Sequence, residues 1–210
     1  ANATRGGLTC PAASGSEART HLAFVVDTSA SMRDPKTGGL WPAVIQTMEA
    51  ALVSDPQLTG VQLLDGDGRF ILERKGSGKD AWLPNTPETR DAIKRVLRRY
   101  DQDTVSNPVP GIYNAIRFLQ DKDAPNFRMG IYVLGDEFNS TDRASVILRR
   151  VDALNPRDSN GRRAVTLSAI GFPTTIRYQF SMGNTGLRFA NLMRQLTHEH
   201  GGSFVALPEL

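Results

Sequence analysis

The sequence has little of what several classes of protein depend on. It contains a single cysteine, Cys10, so no disulfide can form within its 210 residues, and cysteine usage does not identify the compartment. No apolar run approaches the ~18 residues of a membrane-spanning helix, and we expect no transmembrane segment. The chain also lacks the Gly-x-Ser-x-Gly pattern of an activated serine and a complete glycine-rich phosphate loop. These absences disfavour a disulfide scaffold, a membrane-spanning protein and two common classes of enzyme.

Charge of one sign is not concentrated in any segment. The formal net charge is +3, and the arginine pairs at 98–99, 149–150 and 162–163 are scattered along the chain. Scattered pairs are typical of solvated helix faces, whereas a nucleic-acid-binding protein gathers its basic residues into one patch. We therefore expect no nucleic-acid partner.

Residues 1–20 contain almost nothing that a core would bury. They are rich in Ala, Gly, Ser and Thr, and they lack the basic start and apolar stretch of a secretory signal. We predict a flexible leader or linker at 1–20 and one folded domain at 21–210. A chain of this length buries about 70% of its unfolded surface, which is enough for one substantial core.

The first strongly apolar segment ends in a cluster of oxygen-bearing side chains. Leu22–Val26 is a continuous run of the kind that forms a strand covered on both faces of a parallel sheet. Asp27, Ser29 and Ser31 follow it at alternate positions. Carboxylate and hydroxyl oxygens suit a hard cation such as Mg²⁺, and the absence of Cys and His from the cluster argues against zinc. The alternative is an Asp- and Ser-rich turn that only caps the next helix.

Helical and strand patterns alternate along the rest of the chain. The spacing of apolar residues predicts helices at 41–54, 86–100, 111–119, 141–153 and 187–200. Further buried strands are predicted at 129–134, 164–172 and 203–207. The alternation predicts an α/β fold with a doubly wound, mostly parallel sheet and helices on both faces.

One segment departs from this alternation. The sequence Asp65-Gly66-Asp67-Gly68 separates the apolar runs 61–64 and 70–73, and Asp-Gly pairs favour the positive dihedral angles of a tight turn. We predict an antiparallel hairpin strand at one edge of the sheet. A calcium loop is the alternative, but it requires a Gly at its sixth position and a Glu at its twelfth, and both are missing.

A second buried strand also ends in carboxylates. The run at 129–134 is followed by Gly135, Asp136 and Glu137. In an open α/β sheet, ligands bind in the crevice outside the carboxyl ends of the strands. We therefore expect Asp136 at the same sheet edge as Asp27.

These landmarks resemble those of von Willebrand factor A domains, over roughly 21–207. The segment Asp27-Thr28-Ser29-Ala30-Ser31 is similar to the metal-ion-dependent adhesion site of that family, and YVLGDEF is similar to the later strand that ends in a second acidic ligand. The closing LMRQLTHEHGGSFV also resembles the family's last helix and strand, including the Gly pair between them. The resemblance implies a divalent cation, Mg²⁺ or alternatively Ca²⁺ or Mn²⁺, bound by Asp27, Ser29, Ser31 and Asp136. It also favours an extracellular or cell-envelope location.

The chain departs from the family pattern at two positions. The family's third protein ligand is a loop Thr that would fall at Pro110, which has no side-chain oxygen. Ser106 and Thr104 lie earlier in the same loop. We predict that Ser106, which is nearer to Pro110 in sequence, replaces the missing ligand, and Thr104 is the alternative. Glu137 stands where the family often has Gly, so an additional carboxylate lies close to the expected ion.

The resemblance implies a non-enzymatic protein-binding module, in which the ion accepts an acidic residue from a partner protein. One alternative is a metal-dependent phosphoryl-transfer or hydrolytic enzyme, which is disfavoured because no second Asp follows two residues after Asp27. Another is a structural subunit with a degenerate metal site, which the missing loop Thr would allow.

Two histidines lie near the predicted end of the last helix. His198 and His200 suggest a zinc pair or a general base, but Gly201 follows them directly. We favour an imidazolium that complements the helix dipole at this C-terminus.

Overall fold

The computed structural model of the protein describes residues 21–33, 40–73, 75–121, 124, 127–172 and 184–207. The predicted leader at 1–20, with Cys10, lies outside these residues. The described chain forms one six-stranded sheet in the order β3-β2-β1-β4-β5-β6, in which β3 alone is antiparallel to its neighbour. The strands are β1 (His21–Val26), β2 (Gly60–Asp65), β3 (Leu83–Pro84), β4 (Met129–Gly135), β5 (Val165–Gly171) and β6 (Phe204–Ala206).

Six α-helices connect and cover these strands in the described residues. They are α1 (Ala30–Arg33), α2 (Trp41–Ser54), α3 (Pro87–Arg99), α4 (Val109–Leu119), α5 (Ala144–Leu154) and α6 (Thr185–Glu199). Side chains of α2 and α3 belong to one core cluster, and side chains of α4, α5 and α6 belong to another. The prediction of a doubly wound, mostly parallel sheet with helices on both faces is confirmed.

The apolar run that opens the domain supplies both core clusters. Ala23 and Val25 pack into the cluster of α4, α5 and α6, while Phe24 and Val26 pack into the cluster of α2 and α3. Successive side chains of a strand point to opposite faces, so a strand covered on both faces must be apolar throughout. This places β1 at the centre of the sheet and fixes the position of the residues that follow it.

Helix boundaries agree with the predictions to within three residues. Thr86 caps α3 as predicted, with its hydroxyl accepting a hydrogen bond from the backbone nitrogen of Thr89 at 3.3 Å. Helix α4 begins at Val109, two residues earlier than predicted, and includes Pro110 in its first turn. Prolines are tolerated there because the first backbone nitrogens of a helix have no intrahelical acceptor. No helix of the described residues is sufficiently long and apolar to span a membrane.

The antiparallel edge strand is present, but it is not formed by 70–73. Phe70 makes only a single antiparallel bridge to Leu64, and β3 pairs with β2 instead. The predicted turn does form, with Gly68 at a φ of 84°. The backbone nitrogen of Ile71 still donates to the carbonyl of Leu63 at 2.9 Å, and Leu72 is buried in the cluster of α2 and α3. The turn and an antiparallel edge strand were therefore predicted correctly, whereas the residues that form this strand are 83–84 and not 70–73.

The last helix ends in a glycine turn that fits the predicted Gly pair. Gly201 has a φ of 72°, and the backbone nitrogen of Gly202 donates to the carbonyl of Thr197 at 2.9 Å. A Cβ at Gly202 would overlap the carbonyl oxygen of Leu167 in β5. The absence of a side chain at Gly202 therefore allows α6 to close against β5 before β6 begins.

The imidazolium hypothesis for this helix end is wrong for His200. His200 is only 1% exposed, and burial, followed by the positive charge of Arg163, lowers its pKa to about 4. Its Nδ1 lies 3.0 Å from the side-chain nitrogen of Asn155, which donates to the carbonyl of Val165 as well. His200 is therefore a neutral core residue, and because His198 is exposed the two imidazoles do not form a zinc pair.

Candidate metal centre

Asp27 and Asp136 follow neighbouring parallel strands and lie together at the carboxyl end of the sheet. The backbone nitrogen of Asp27 donates to the carbonyl of Leu134 at 2.8 Å, which extends the pairing of β1 with β4 by one residue. A Cβ at Gly135 would lie only 3.1 Å from the Cβ of Asp27. Asp27 is 1% exposed and Asp136 is 3% exposed. The sheet thus brings two buried carboxyl groups to one place, as the sequence predicted.

The turn after β1 brings the two predicted hydroxyls together. The backbone nitrogen of Ser29 donates to Oδ1 of Asp27 at 2.9 Å, which closes a three-residue Asx turn. The Ser29 and Ser31 hydroxyl oxygens are 3.0 Å apart, and the Ser31 hydroxyl also bonds to the Asp136 carboxyl. Asp27, Ser29, Ser31 and Asp136 therefore form one continuous group of oxygen atoms.

Burial and mutual repulsion set the electrostatics of this group. Burial raises the pKa of Asp27 to about 6, with the charge of Glu137 adding to the effect and hydrogen bonds from Ser29 opposing it. Burial also raises the pKa of Asp136 to about 8, and the negative charges of Asp27 and Glu137 contribute to this shift. A cation between the two carboxyl groups would stabilise the charged form of both and so oppose these shifts.

Glu137 lies beside the two aspartates and connects them to two other segments. Its carboxyl group accepts hydrogen bonds from the hydroxyls of Ser106 and Thr185, which oppose the rise in its pKa that burial causes. Ser106 is thus brought to the candidate centre, where its hydroxyl contacts Glu137. The sequence did not indicate Thr185, because nothing local to the start of α6 shows that it reaches a carboxylate after β4.

Thr104, the other loop residue that we left open, has a different position. Its hydroxyl oxygen lies 3.2 Å from both the backbone nitrogen and the hydroxyl of Thr28. The Thr28 hydroxyl also donates to the carbonyl of Gln102 at 3.0 Å. Thr104 therefore attaches its loop to the turn after β1, and Thr28 is a structural member of the motif that the sequence pattern did not identify.

The residues of this group fit a divalent cation. Oδ2 of Asp27 is fully buried and forms no hydrogen bond with the described residues. A buried carboxylate oxygen without a donor is costly, and a cation would satisfy it. Within the part of the chain that the structure describes, no three His, Cys, Asp or Glu side chains are grouped as a metal site. The oxygen atoms gathered here belong to two carboxyl groups and neighbouring hydroxyls, which are the kind of ligand that Mg²⁺ and Ca²⁺ prefer, whereas zinc sites use mainly thiolates and imidazoles.

Comparison with known proteins identifies the fold. No family model matches the sequence, and no curated protein does. A von Willebrand factor type A structure from Catenulispora acidiphila has 17% identity and a TM-score of 0.64, over 91% of this chain and 39% of that one. An aerotolerance-related membrane protein from Bacteroides fragilis has 13% identity and a TM-score of 0.51, over 90% and 92%. Proximal thread matrix protein 1 from the mussel byssus has 16% identity and a TM-score of 0.51, over 90% and 42%.

These structures show a shared architecture at low sequence identity. The chain spans about two fifths of the length of the Catenulispora and byssus proteins that it matches. At this level of identity the likeness shows the fold alone. The chain has the fold of von Willebrand factor A domains, with the candidate metal centre at the carboxyl end of its central strands.

Proposed function

We propose that this von Willebrand factor A fold is a metal-dependent protein-binding module. Asp27, Ser29, Ser31 and Asp136 would hold a Mg²⁺, Ca²⁺ or Mn²⁺ ion. The hydroxyl of Ser106, which bonds to the carboxyl group of Glu137, would lie close to these ligands. The observation that carries the proposal is Oδ2 of Asp27, which is buried beside a second carboxyl group and forms no hydrogen bond with the described residues.

The donor set leaves a place for a partner. Oδ1 of Asp27 already accepts from the backbone nitrogen of Ser29, which leaves Oδ2 for a cation. With each carboxylate bound through one oxygen atom, two carboxylates and two hydroxyls supply four ligands, fewer than the six that Mg²⁺ takes or the six to eight that Ca²⁺ takes. The remaining positions are open to water and to one oxygen atom from outside the domain. An acidic side chain of a partner protein has the charge and the hard oxygen ligand that such a position favours.

The surroundings of the centre favour binding over catalysis. The three histidines of the chain lie elsewhere. His21 is at the amino end of β1, whereas Asp27 follows its carboxyl end, and His198 and His200 lie at the end of α6. No imidazole is therefore placed to act as a general base beside the aspartates. We propose a non-enzymatic role in adhesion or assembly, which agrees with the likeness to a byssus matrix protein. We also propose an extracellular or cell-envelope location, which agrees with the likeness to a membrane protein.

Calorimetric titration with Mg²⁺, Mn²⁺ and Ca²⁺ tests the site. We expect binding heat from the wild type, loss of that heat in Asp27→Ala, and retention of it in Asp142→Ala, which removes an exposed carboxylate from the loop before α5. Circular dichroism checks that each variant is folded. Heat that persists in Asp27→Ala would contradict the assignment of the site, and a wild type that binds none of the three ions would favour a structural subunit with a degenerate site.

A further inference from the structure

Two large apolar side chains are exposed on the segments that contact Glu137 at the candidate metal centre. Val105 is 61% exposed and Leu187 is 57% exposed. Val105 directly precedes Ser106, and Leu187 lies in the first turn of α6, two residues after Thr185. Both side chains are therefore attached to segments whose hydroxyls contact Glu137.

The segment that follows Asp136 holds these two segments in place. The carboxylate of Glu137 accepts hydrogen bonds from both Ser106 and Thr185. Two backbone bonds reinforce this attachment: the nitrogen of Asn139 donates to the carbonyl of Ser106 at 2.6 Å, and the nitrogen of Phe138 donates to the carbonyl of Thr185 at 3.1 Å. The two segments that carry the apolar side chains are thus held near the centre before any partner arrives. A surface that is already ordered loses little conformational entropy when it binds.

A positive charge lies on the same surface. Arg188 follows Leu187 and is exposed, its guanidinium lies 5.0 Å from the ring centre of Phe138, and it donates a hydrogen bond to the carbonyl of Ser140. These contacts fix the side chain without neutralising its charge. An acidic segment that approached the centre would therefore be attracted by this guanidinium as well.

We propose that Val105, Leu187 and Arg188 form a docking surface, here called the rim surface, for a partner segment in which an acidic residue has apolar neighbours. This inference rests on the proposed function, because the acidic residue would reach the bound cation. Its apolar neighbours would cover Val105 and Leu187, and the guanidinium would favour the negative charge of the segment. Single exposed apolar side chains are common on proteins. The rim surface differs because the segments that carry its members are fixed around one site by hydrogen bonds to the segment 137–140.

A peptide library with a fixed central Asp and random flanking residues tests the rim surface. The full chain is used to select from the library in millimolar Mg²⁺, and affinities are then measured by fluorescence anisotropy. We expect apolar residues to be enriched beside the Asp, and binding to be lost when that Asp is replaced by Asn. The double variant V105S/L187S should bind the selected peptides about tenfold more weakly or worse, since burial of the two side chains is lost.

The control variant is V53S. Val53 has the same 61% exposure as Val105, and it lies in the last turn of α2, which leads to the amino end of β2. It should leave peptide affinity unchanged. The rim surface is refuted if no peptide is selected, if the flanking residues stay random, or if V105S/L187S binds as tightly as the wild type. The proposed function is tested separately, by Mg²⁺ titration without peptide. V105S/L187S should give the same Mg²⁺-binding heat as the wild type in that titration. Loss of this heat would show that Val105 and Leu187 also support the metal site, which would refute the proposal that they act only in binding the partner.

Discussion

Asp27 and Asp136 are held side by side because the backbone nitrogen of Asp27 donates to the carbonyl of Leu134, two residues before Asp136. The pairing of two parallel strands thus decides which carboxyl groups meet. Each group is buried, and the charge of Asp27 raises the pKa of Asp136 further. The geometry that would bind a cation is therefore a source of instability when no cation is bound.

Asp27→Asn should stabilise the metal-free protein. The pKa of Asp27 is raised to about 6, so at about pH 8 the folded protein contains a carboxylate that it disfavours, whereas the unfolded chain ionises freely. Asn removes the charge and keeps an oxygen atom for the backbone nitrogen of Ser29. We expect the free energy of unfolding in EDTA to rise by about 1–3 kcal/mol. Thermal unfolding measures the change.

The same variant should lose its response to metal. Millimolar Mg²⁺ should raise the melting temperature of the wild type, because a ligand that binds only the folded state stabilises it, and it should have little effect on Asp27→Asn. Asp142→Asn, in an exposed loop, should resemble the wild type in both conditions. A variant that is less stable than the wild type in EDTA would show that the carboxylate is stabilised by some other contact.

The position of the aspartates was predictable from sequence, whereas that of the loop hydroxyls was not. Asp27 and Asp136 each follow a buried strand, and parallel strands bring their carboxyl ends to one edge whatever the loops do. Ser106 and Thr104 lie in a loop whose course depends on Thr28 and Glu137, which are distant in sequence. Nothing in the local pattern shows these contacts, so sequence reasoning placed the residues near the centre without separating their roles.

Burial of His200 was missed for the same reason. The Gly after the helix was recognised correctly, but the imidazole is covered because Asn155, 45 residues earlier, bonds to it. Similarly, the Asp-Gly turn was recognised, whereas the pairing of 83–84 with β2 as the edge strand was not. Patterns with a fixed local period predict elements well, and contacts between distant segments decide the charge and exposure of single residues.

His200 should make the protein less stable in mild acid. Its pKa is lowered to about 4, from 6.5 in an exposed histidine, so between these pH values the unfolded chain binds a proton that the folded protein excludes. The contribution of neutral His200 to the free energy of unfolding is fully present above about pH 6.5, and it is lost as the pH falls towards 4. We expect about 2 kcal/mol of this loss between pH 7 and 5. Urea unfolding across this range measures it.

His200→Gln is the matching control, since an amide can still accept from Asn155 but does not titrate. Asp27 and Asp136 have raised pKa values and act in the opposite direction, but they do so equally in both proteins. The difference in the free energy of unfolding between wild type and variant therefore reports on the titration of His200 alone. An unchanged difference from pH 7 to 5 would show that His200 titrates as an exposed residue does.

The Gly pair after α6 should respond unequally to a single methyl group. At Gly202, a Cβ would overlap the carbonyl oxygen of Leu167, which is backbone and cannot rotate away. Gly202→Ala should therefore lower the free energy of unfolding by about 3 kcal/mol or more, or prevent folding. At Gly201 the added methyl meets nothing within 4 Å, and only the φ of 72° opposes it. Gly201→Ala should cost about 1 kcal/mol. Equal costs in a thermal melt would contradict the close packing of α6 on β5.

Thr104 and Ser106 should separate into a structural role and a role in metal binding. The Thr104 hydroxyl accepts a hydrogen bond from the buried backbone nitrogen of Thr28. Thr104→Val leaves that donor unpaired and should lower the free energy of unfolding by about 1–3 kcal/mol. Ser106 is half-buried and bonds to Glu137, which lies beside Asp136. Ser106→Ala should therefore change stability little and weaken Mg²⁺ binding about tenfold, as loss of a supporting contact does at other metal sites.

The comparison requires both variants in the same calorimetric titration, with unfolding measured alongside. Thr104→Val should retain Mg²⁺ affinity to within about twofold once its folded fraction is taken into account, because its hydroxyl is directed at Thr28. If Thr104→Val weakens Mg²⁺ binding more than Ser106→Ala does, then Thr104 replaces the missing loop threonine as a ligand. The loop before α4 would then have to move towards Asp27 when the cation binds, because in the present structure the Thr104 hydroxyl bonds to the backbone nitrogen and the hydroxyl of Thr28.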